Sequence, residues 1–513
     1  MQIRRPLRVY KTGPERGREL FRAMSEPRGT TQRSGGGTTH LSFVVVLLVL
    51  FDRNPWQVTA RAPLTDNVAD SSIKLNNENF PTYQIRDIEP EDAGVESFFK
   101  GLNEIKQSTN ATLDEERPLP RVLYTGWQTW RTYLNSEDQI GIITALKDDG
   151  DIDTWGGNMK TIDIVVQPAA IEKVSAVLAQ NNIKYEVMLD DVQRAINEEN
   201  PTIIEETDDR KGHRLTWQAY HKTADIHGYL DYLAETYPDL CSVKTIGMSV
   251  QGRPIKLLKI SNGKPGNKAV WVDGGIHARE WITPATVTFI INHLVSNFEN
   301  EPKYIQDTDW YITPVANPDG YEFTHSTDRL WRKNRARAGG QCSGTDLNRN
   351  FGYKWGGKGS SKNPCTQIYA GAGPFSEPET AAIQRFIKGT QAAWKAYVSF
   401  HSYGQYILYP WGYENAVPPD HRDLEAVGRR AAAAIVAAGG PRYTVGPAGS
   451  TLYPASGGSD DWAKGVAGFK YSYTIELRDT GRYGFVLPAS YITPTAKEAL
   501  AAVRVIVEAA QKA

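Results

Sequence analysis

The pattern of apolar and polar positions divides the chain into a polar N-terminal part and a regular C-terminal part. Beyond residue 215, strand-like apolar runs alternate with amphipathic helices over about 300 residues. The segment "TADIHGYLDYLAETY" has Thr223 as its predicted N-cap and repeats apolar side chains at helical spacing. The side chains expected on one face of this helix are Ile226, Leu230, Leu233 and Tyr237. This order of elements predicts an α/β fold with one large, mostly parallel sheet flanked by helices.

The other predicted elements are short. Strands are predicted at "SVKTIGMS", "IKLLKIS", "KAVWVDGG", "DWYITPVANPDG", "KAYVSFHSYG" and "KYSYTIELRD". Helices are predicted at "PATVTFIINHLVSNF", with Pro284 in the first turn, and at "KEALAAVRVIVEAAQ". Residues 121–200 predict a separate, smaller α/β domain, with strands at "RVLYTGW" and "TIDIVVQP" and helices at "AIEKVSAVLAQNN" and "LDDVQRAINEEN".

The N-terminal region carries the longest apolar run, "LSFVVVLLVLF" at residues 41–51. It is about half the roughly 20 residues that a membrane-spanning helix needs, so residues 1–60 are predicted as a leader with a secretory core. Ala60 ends a small-residue cleavage site, and a start at Met24 would give a more ordinary leader. The alternative is that this run is a membrane anchor, but we expect the protein to have no stable membrane anchor. Residues 61–120 are polar and aperiodic, which predicts a flexible linker.

Length, charge and cysteine content limit the kinds of protein that this chain can be. A chain of 513 residues is too long for one ordinary core, so two or more domains are expected. A formal net charge of −1 gives no electrostatic reason to expect a nucleic acid partner. The odd number of cysteines, Cys241, Cys342 and Cys365, rules out full internal pairing, and one bridge plus one thiol is consistent with export. Asn110 begins a glycosylation sequon, which supports the same route.

A charged segment separates the two predicted domains. Residues 201–214 have no periodicity and contain the basic cluster Arg210, Lys211 and Arg214. An exposed basic cluster in a linker is what a trypsin-like protease cleaves. An ordinary charged linker is the alternative interpretation.

Residues that can bind a metal or transfer a proton follow several of the predicted strands. His277 and Glu280 come directly after "KAVWVDGG", where a surface loop with a salt bridge between Arg279 and Glu280 is the alternative. His401 follows "AYVSF", and Glu476 lies at the end of another apolar run. Functional groups of open α/β sheets collect beyond the carboxyl ends of the strands. Two imidazoles and one carboxylate form a catalytic zinc set with an open fourth position, and Glu476 could act as general base.

Six sequence motifs, in order along the chain, are typical of one protein family. They are "GGIHAREW", "NPDGYEFTHSTDRLWRKNR", "DLNRNF", "FHSYGQYILYPWGY", "TLYPASGGSDDW" and "IELRDTGRYGF". From about residue 121 to 513 the chain resembles secreted zinc carboxypeptidases of the pancreatic A/B type. The resemblance implies a catalytic domain at 215–513 and a small ferredoxin-like, inhibitory pro-domain at 121–200. It also implies a zymogen activated by a trypsin-like protease, with peptide or protein C-termini as substrates.

The resemblance also implies roles for individual residues. His277, Glu280 and His401 would bind one zinc ion, Glu476 would be the general base and acid, and Arg332 would polarise the scissile carbonyl. The substrate-binding positions implied are Asn348 and Arg349 for the terminal carboxylate, Tyr453 as the mobile tyrosine over it, and Arg279, Arg329, Tyr403 and Phe485 along the cleft. The family's second carboxylate, which orients His277, would be Asp346. A disulfide between Cys342 and Cys365 would leave Cys241 unpaired.

The resemblance implies that Asp460 sets the specificity, because it stands where the family places the residue at the base of the specificity pocket. The alternative is that Asp460 is turned away or pairs with a neighbouring cation. Relatives with Asp there prefer C-terminal Lys and Arg, and those with an apolar residue prefer apolar or aromatic C-termini. Ala448 and Gly412 match other positions of this pocket and are small. The alternatives are an A-type preference, a silent binder of peptide C-termini, or a hydrolase of another bond. We expect a secreted monomer, with a vacuole or another secretory compartment as the alternative location.

Overall fold

The structure is a computed structural model, and it describes residues 46–50, 57–61, 120–158, 160–201, 212–337 and 342–513. The chain divides into two compact units, residues 1–107 and 108–513. In the first unit, strands β1 (Val46–Leu50) and β2 (Gln57–Arg61) pair antiparallel, and β1 lies within the predicted leader core. Asn110, most of the predicted flexible linker and residues 202–211 of the charged segment lie outside the described residues. Within the described part of the chain, no helix combines the length and apolarity needed to cross a membrane.

A four-stranded antiparallel sheet with the order β4-β5-β3-β6 forms the smaller domain of the second unit. Its elements are β3 (Gln128–Tyr133), α1 (Glu137–Asp148), β4 (Ile152–Gly157), β5 (Thr161–Val166), α2 (Ile171–Gln180), β6 (Lys184–Leu189) and α3 (Val192–Glu199). The βαββαβ order confirms the predicted ferredoxin-like fold. Its core packs apolar side chains of the sheet, such as Trp130 and Ile164, against Val174 and Leu178 of α2.

The predicted strand at "RVLYTGW" is wrong, because the strand begins only at Gln128. The backbone N–H of Val122 donates to the carbonyl of Thr327 at 2.8 Å. The hydroxyl of Tyr124 donates to Asp328 at 2.7 Å. These partners belong to the larger domain, so this stretch is hydrogen-bonded across the domain boundary and not within a sheet.

The larger domain is built on an eight-stranded mixed sheet with the order β13-β12-β14-β11-β9-β10-β8-β7. Its strands are β7 (Cys241–Met248), β8 (Pro254–Ile260), β9 (Lys268–Asp273), β10 (Thr308–Thr313), β11 (Ala393–Ser402), β12 (Tyr406–Tyr409), β13 (Thr444–Pro447) and β14 (Tyr471–Leu477). Four neighbouring pairs are parallel (β9–β10, β9–β11, β11–β14 and β12–β13) and three are antiparallel. This confirms the predicted large, mixed, mostly parallel sheet.

Helices cover both faces of this sheet. They are α4 (Thr223–Thr236), α5 (Ile282–Ser296), α6 (Lys303–Gln306), α7 (Pro318–Ser326), α8 (Pro378–Gly389), α9 (His421–Ala437), α10 (Ala448–Thr451), α11 (Ser459–Gly465) and α12 (Ile492–Lys512). Alternate side chains of β9 enter different cores: Val270 and Val272 join one, whereas Ala269 and Trp271 join the other. Burial on both faces explains why this strand is a continuous apolar run in the sequence.

Three details of the predicted elements are wrong. Thr223 is the first residue of α4 and not its N-cap, which is Lys222: its backbone is extended and its carbonyl accepts from the N–H of Ile226 at 3.2 Å. Tyr237 follows the last residue of α4 and is 40% exposed. The strand predicted through "DWYITPVANPDG" ends at Thr313, and the side chain of Asn317 caps the helix that follows.

Candidate active site

Parallel neighbours bring the predicted site residues to one edge of the sheet. His277 and Glu280 lie in the loop between β9 and α5. His401 lies near the end of β11, directly opposite Glu476 of β14. β9 and β11 are also parallel neighbours, so their carboxyl ends meet at the same edge.

The three predicted metal ligands converge. Nδ1 of His277 lies 2.8 Å from Oε1 of Glu280 and 3.1 Å from Nδ1 of His401. Nδ1 of His401 lies 3.3 Å from Oε2 of Glu280. One donor atom from each residue lies within 4.8 Å of the others, and all three residues are buried. The alternative of a surface salt bridge between Arg279 and Glu280 does not hold, since both residues are 3% exposed and Glu280 contacts the imidazoles.

The Nε2 atoms of both imidazoles, which face away from the cluster, each lie close to an oxygen atom. Nε2 of His277 lies 3.1 Å from Oδ1 of Asp346, and Nε2 of His401 lies 3.2 Å from Oγ of Ser399. Ser399 in turn donates to Oδ1 of Asp273 at 2.6 Å. These partners favour a proton on each Nε2, which leaves the Nδ1 lone pairs facing one another and the carboxylate. Such converging electron donors need a cation between them, so the cluster fits a zinc ion.

Ser399 and Asp273 are site residues that the motifs did not identify. Trp271 also donates to Asp273, from its indole N–H at 2.6 Å. Ser399 lies two positions before His401 in the same strand, so both side chains point to one face. The spacing could therefore have suggested Ser399, whereas its contact with Asp273 depends on the pairing of β9 with β11.

The electrostatics of the cluster favour a positive charge. Burial opposes charge on His401, but the carboxylate of Glu280 outweighs it and raises the pKa of His401 to about 9. Burial and the charge of Arg332 lower the pKa of His277. Burial acts to raise the pKa of Glu280, yet the two imidazoles hold it below its ordinary value. Burial raises the pKa of Glu476 to about 7.

Asp346 connects the cluster to Arg332. Its Oδ1 faces His277, while its Oδ2 accepts from Nε and Nη2 of Arg332 at 3.1 and 3.0 Å. Nη1 of the same guanidinium lies 3.8 Å from Oε1 of Glu280. One carboxylate therefore orients an imidazole of the cluster and the arginine predicted to face the substrate carbonyl.

The predicted terminal-carboxylate residues lie in the turn that follows Asp346. Oδ1 of Asn348 accepts from the backbone N–H of Ser459 at 2.9 Å. Arg349 is 4% exposed and donates Nε to the carbonyl of Gly359 at 2.9 Å and Nη1 to the carbonyl of Asn348 at 2.8 Å. Tyr453 is 44% exposed, as a side chain that closes over a ligand would be.

The smaller domain covers the predicted cleft residues. The hydroxyl of Tyr403 donates to Oδ2 of Asp163 at 2.8 Å. Arg329 donates Nε and Nη2 to the two carboxylate oxygens of Glu199 at 2.6 and 2.7 Å. Asp163 and Glu199 belong to the smaller domain, and the motifs identified neither. Both lie in ordinary elements of that domain, so the sequence carried no signal for them.

Two further cleft residues lie under the same domain. The ring of Phe485 lies 5.2 Å from that of Trp155, measured between centroids. The guanidinium of Arg279 lies 4.0 Å from the centroid of Phe485 and is buried. Four predicted substrate-binding residues are thus brought together, and residues of the smaller domain contact three of them, Tyr403, Arg329 and Phe485.

Asp460 lies in the first turn of α11 and is 6% exposed. Within the described ranges, no lysine, arginine or histidine forms an ion pair with it, so the alternative of a neighbouring cation is not seen. Asp461 accepts from the backbone N–H groups of Gly412 and Tyr413 at 2.8 and 2.9 Å. A Cβ atom at Gly412 would lie 3.6 Å from the Cβ of Ala448 and from Oδ2 of Asp461, so these predicted pocket residues are adjacent.

The two adjacent aspartates have perturbed acidities. Burial raises the pKa of Asp460. Burial and the charge of Asp460 raise the pKa of Asp461 well above its ordinary value. A cation placed beside them would relieve both effects.

Cys342 and Cys365 form a disulfide, with a sequence separation of 23. Cys241 is a buried free thiol, and burial raises its pKa to about 12. This is the arrangement that the resemblance implied.

Comparisons with known proteins agree with this geometry. A family model described as zinc carboxypeptidase matches residues 226–502, and one described as carboxypeptidase activation peptide matches residues 130–199. Carboxypeptidase B of Astacus astacus is 46% identical over 294 residues, which are 57% of this chain and 97% of the relative. Carboxypeptidase A2 of Mus musculus is 39% identical over 395 residues, which are 75% of this chain and 94% of the relative.

Solved structures give the same result. The carboxypeptidase A of Helicoverpa armigera matches with a TM-score of 0.70 and 31% identity, over 76% of this chain and 98% of that one. Thrombin activatable fibrinolysis inhibitor matches with a TM-score of 0.68 and 35% identity, over 75% and 98%. The chain therefore belongs to the zinc carboxypeptidase family, as a metallocarboxypeptidase whose catalytic domain follows an activation peptide.

Proposed function

We propose that this zinc carboxypeptidase removes Lys or Arg from the C-terminus of peptides and proteins. The observation that carries the proposal is the carboxylate of Asp460, which is buried and has no cationic partner among the described residues. Similarity alone does not decide the preference, because the relatives are named both carboxypeptidase A and carboxypeptidase B.

The preference follows from the cost of a buried charge. A Lys or Arg side chain entering the pocket would pair with Asp460, whereas Phe or Leu would enclose the carboxylate without a partner. Leaving one member of a buried pair alone costs on the order of 3–5 kcal/mol. At about 1.4 kcal/mol per decade, this predicts a preference of roughly 10²–10³-fold for a basic C-terminal residue.

Each proposed catalytic group has a position that suits its role. When bound, zinc supplies Lewis acidity and makes a hydrolytic water more acidic. Glu476, opposite His401 in the sheet, takes the proton of that water and passes it to the leaving amine, an effect of typically 10²–10⁴-fold. Arg332, held by Asp346, faces the negative charge that grows on the substrate carbonyl oxygen.

The free end of the substrate is recognised by a second group. Arg349, with Asn348, binds the terminal carboxylate, since a planar guanidinium matches a carboxylate in a way that an internal peptide bond cannot satisfy. Tyr453 closes over the same carboxylate. This recognition limits cleavage to the last residue of the chain.

The proposed activation is proteolytic. Residues 121–200 act as an inhibitory pro-domain, and a trypsin-like protease releases it by cleaving at Arg210–Arg214 in the linker of residues 201–214. The hydrogen bonds from Tyr403 to Asp163 and from Arg329 to Glu199 support inhibition, because both occupy cleft residues. Residues 1–60 direct the monomeric protein into the secretory pathway, and residues 61–120 link that leader to the pro-domain.

The specificity is tested with two peptides that differ only in a C-terminal Arg or Phe. We expect kcat/KM of the activated wild type to favour Arg roughly 10²–10³-fold. Asp460→Asn, which keeps the size but removes the charge, should lose most of this preference, and Asp460→Ile should reverse it. A wild-type preference for Phe would make the protein an A-type enzyme and overturn the proposal.

A further inference from the structure

One short segment contacts both parts of the proposed carboxylate clamp. Residues 357–359, which we name the strap, lie in the loop after Arg349. The carbonyl of Gly359 accepts the hydrogen bond from Nε of Arg349 at 2.9 Å. The carbonyl of Lys358 accepts from the backbone N–H of Ser456 at 2.8 Å, three positions after Tyr453. The strap thus lies between the guanidinium and the segment that carries the mobile tyrosine.

Packing between the strap and that segment leaves no space for a side chain. A Cβ atom at Gly359 would lie 1.7 Å from the carbonyl oxygen of Pro454 and 2.9 Å from Cα of Ala455. A Cβ atom at Gly357 would lie 2.5 Å from Oγ of Ser456. Gly359 also has a φ of +71°, in the left-handed region that favours glycine. Backbone therefore packs directly on backbone at this point.

The strap also fixes the orientation of the guanidinium. Nε of Arg349 binds Gly359 and Nη1 binds the carbonyl of Asn348, whereas Nη2 has no hydrogen-bond partner in the described part of the chain. The remaining N–H groups of Nη1 and Nη2 are left for a ligand. Turning the plane of this buried guanidinium would break its hydrogen bond to the strap.

We propose that the strap is a positioning element for recognition of the free C-terminus, which holds Arg349 and the Tyr453 segment in one arrangement. The inference rests on the proposed role of Arg349 and deepens it, because it names the residues that set the geometry of the clamp. The strap touches neither the metal cluster nor Glu476 in any described hydrogen bond. A disturbed strap should therefore weaken substrate binding and leave the chemical step nearly unchanged.

Gly359→Ala and Gly356→Ala make a matched pair for the test. Gly356 has a φ of +75°, but a Cβ atom there would have no atom within 4 Å. Both glycines lie in the left-handed region, so the two variants carry similar backbone strain, and only Gly359→Ala pushes on Pro454. With the better of the Arg- and Phe-terminated peptides, we expect Gly359→Ala to raise KM roughly 10- to 100-fold with kcat within about threefold of wild type. Gly356→Ala should keep both constants close to those of wild type, and zinc content should be equal in all three proteins. Equal KM for the two variants overturns the inference.

A milder pair keeps the test open if Gly359→Ala does not fold. Gly357→Ala meets only the hydroxyl of Ser456 within 3 Å, so KM should rise less and should fall again in Gly357→Ala/Ser456→Ala. Equal KM in these two variants and wild type also overturns the inference. Arg349→Gln distinguishes the proposed role of the clamp from the proposed role of the strap. If Arg349→Gln leaves KM unchanged, the proposed clamp is wrong. If Arg349→Gln raises KM while Gly359→Ala and Gly356→Ala have equal KM, the clamp stands and only the role of the strap is wrong.

Discussion

Replacing Glu199 with Ala should weaken the hold of the pro-domain on the catalytic domain by orders of magnitude. Glu199 ends α3 and is 2% exposed, and both of its carboxylate oxygens accept from Arg329. The other donors of Arg329 bind the backbone carbonyls of Arg279 and Phe485 at 2.9 and 2.7 Å. Without Glu199, the guanidinium would stay buried against these carbonyls with its charge uncompensated.

The magnitude follows from removing one partner of a buried pair. Burial raises the pKa of Glu199, and Arg329 only partly offsets this, so the net value of the pair is smaller than the cost of truncating it. Truncation of one member of a buried, hydrogen-bonded charge pair costs about 2–5 kcal/mol, chiefly through faster dissociation. At about 1.4 kcal/mol per decade, the dissociation constant should rise roughly 30- to 4,000-fold.

The effect should appear only after the linker is cut. In the intact zymogen the covalent link keeps the pro-domain at a high effective concentration, which hides a weaker contact. After tryptic cleavage the complex is held only by its contacts, and the protein concentration that gives half of full activity measures the dissociation constant. Glu198→Ala is the matched control, because Glu198 is the exposed neighbour of Glu199. If the two variants dissociate at the same concentration, the buried pair does not hold the pro-domain.

Three further predictions concern the catalytic domain. Ser399→Ala should weaken zinc binding roughly 10- to 100-fold in competition with a chelator, because His401 loses the oxygen that orients it; unchanged affinity would contradict the role of Ser399. Glu476→Gln should lower kcat by about 10²–10⁴-fold while zinc content and KM stay near wild type, and a variant with normal kcat would exclude Glu476 as the base. Burial raises the pKa of Glu379 from 4.5 to about 7, so the folded protein holds this proton more tightly and loses stability as pH rises through that range. In denaturant unfolding, the free energy of unfolding of Glu379→Gln minus that of the wild type should therefore increase by up to about 3 kcal/mol from pH 4.5 to 7. A difference that does not change with pH would refute this.

The metal cluster could be predicted from the sequence because its residues follow recognisable apolar runs. His277 comes four positions after β9 ends, and His401 lies near the end of β11. The carboxyl ends of parallel strands meet at one edge, so proximity follows from the order of elements. The contact of Ser399 with Asp273 could not be predicted in this way, because it depends on which two strands are neighbours and on their register.

Other failures have local causes. β6 was not predicted because four of its six side chains are exposed, which removes the alternation that marks a half-buried strand. The predicted N-cap at Thr223 is off by one residue, because the extended backbone of an N-cap is found at Lys222 (φ −71°, ψ 164°). Glu199 looks like an ordinary acidic helix end in the sequence, and only the docking of Arg329 makes it buried.

Two arginines three positions apart show how activation can change access to the site without rebuilding it. Arg332 binds Asp346, which also binds His277, so this arginine belongs to the metal cluster. Arg329 instead binds Glu199 of the pro-domain. In the described part of the chain, the hydrogen-bond partners of the three predicted metal ligands all belong to the catalytic domain. Release of the pro-domain therefore removes a partner from Arg329 and leaves that of Arg332 in place. The contacts of the predicted metal cluster are already formed with the pro-domain bound, so the proposed activation requires release of the pro-domain but no rearrangement of the cluster.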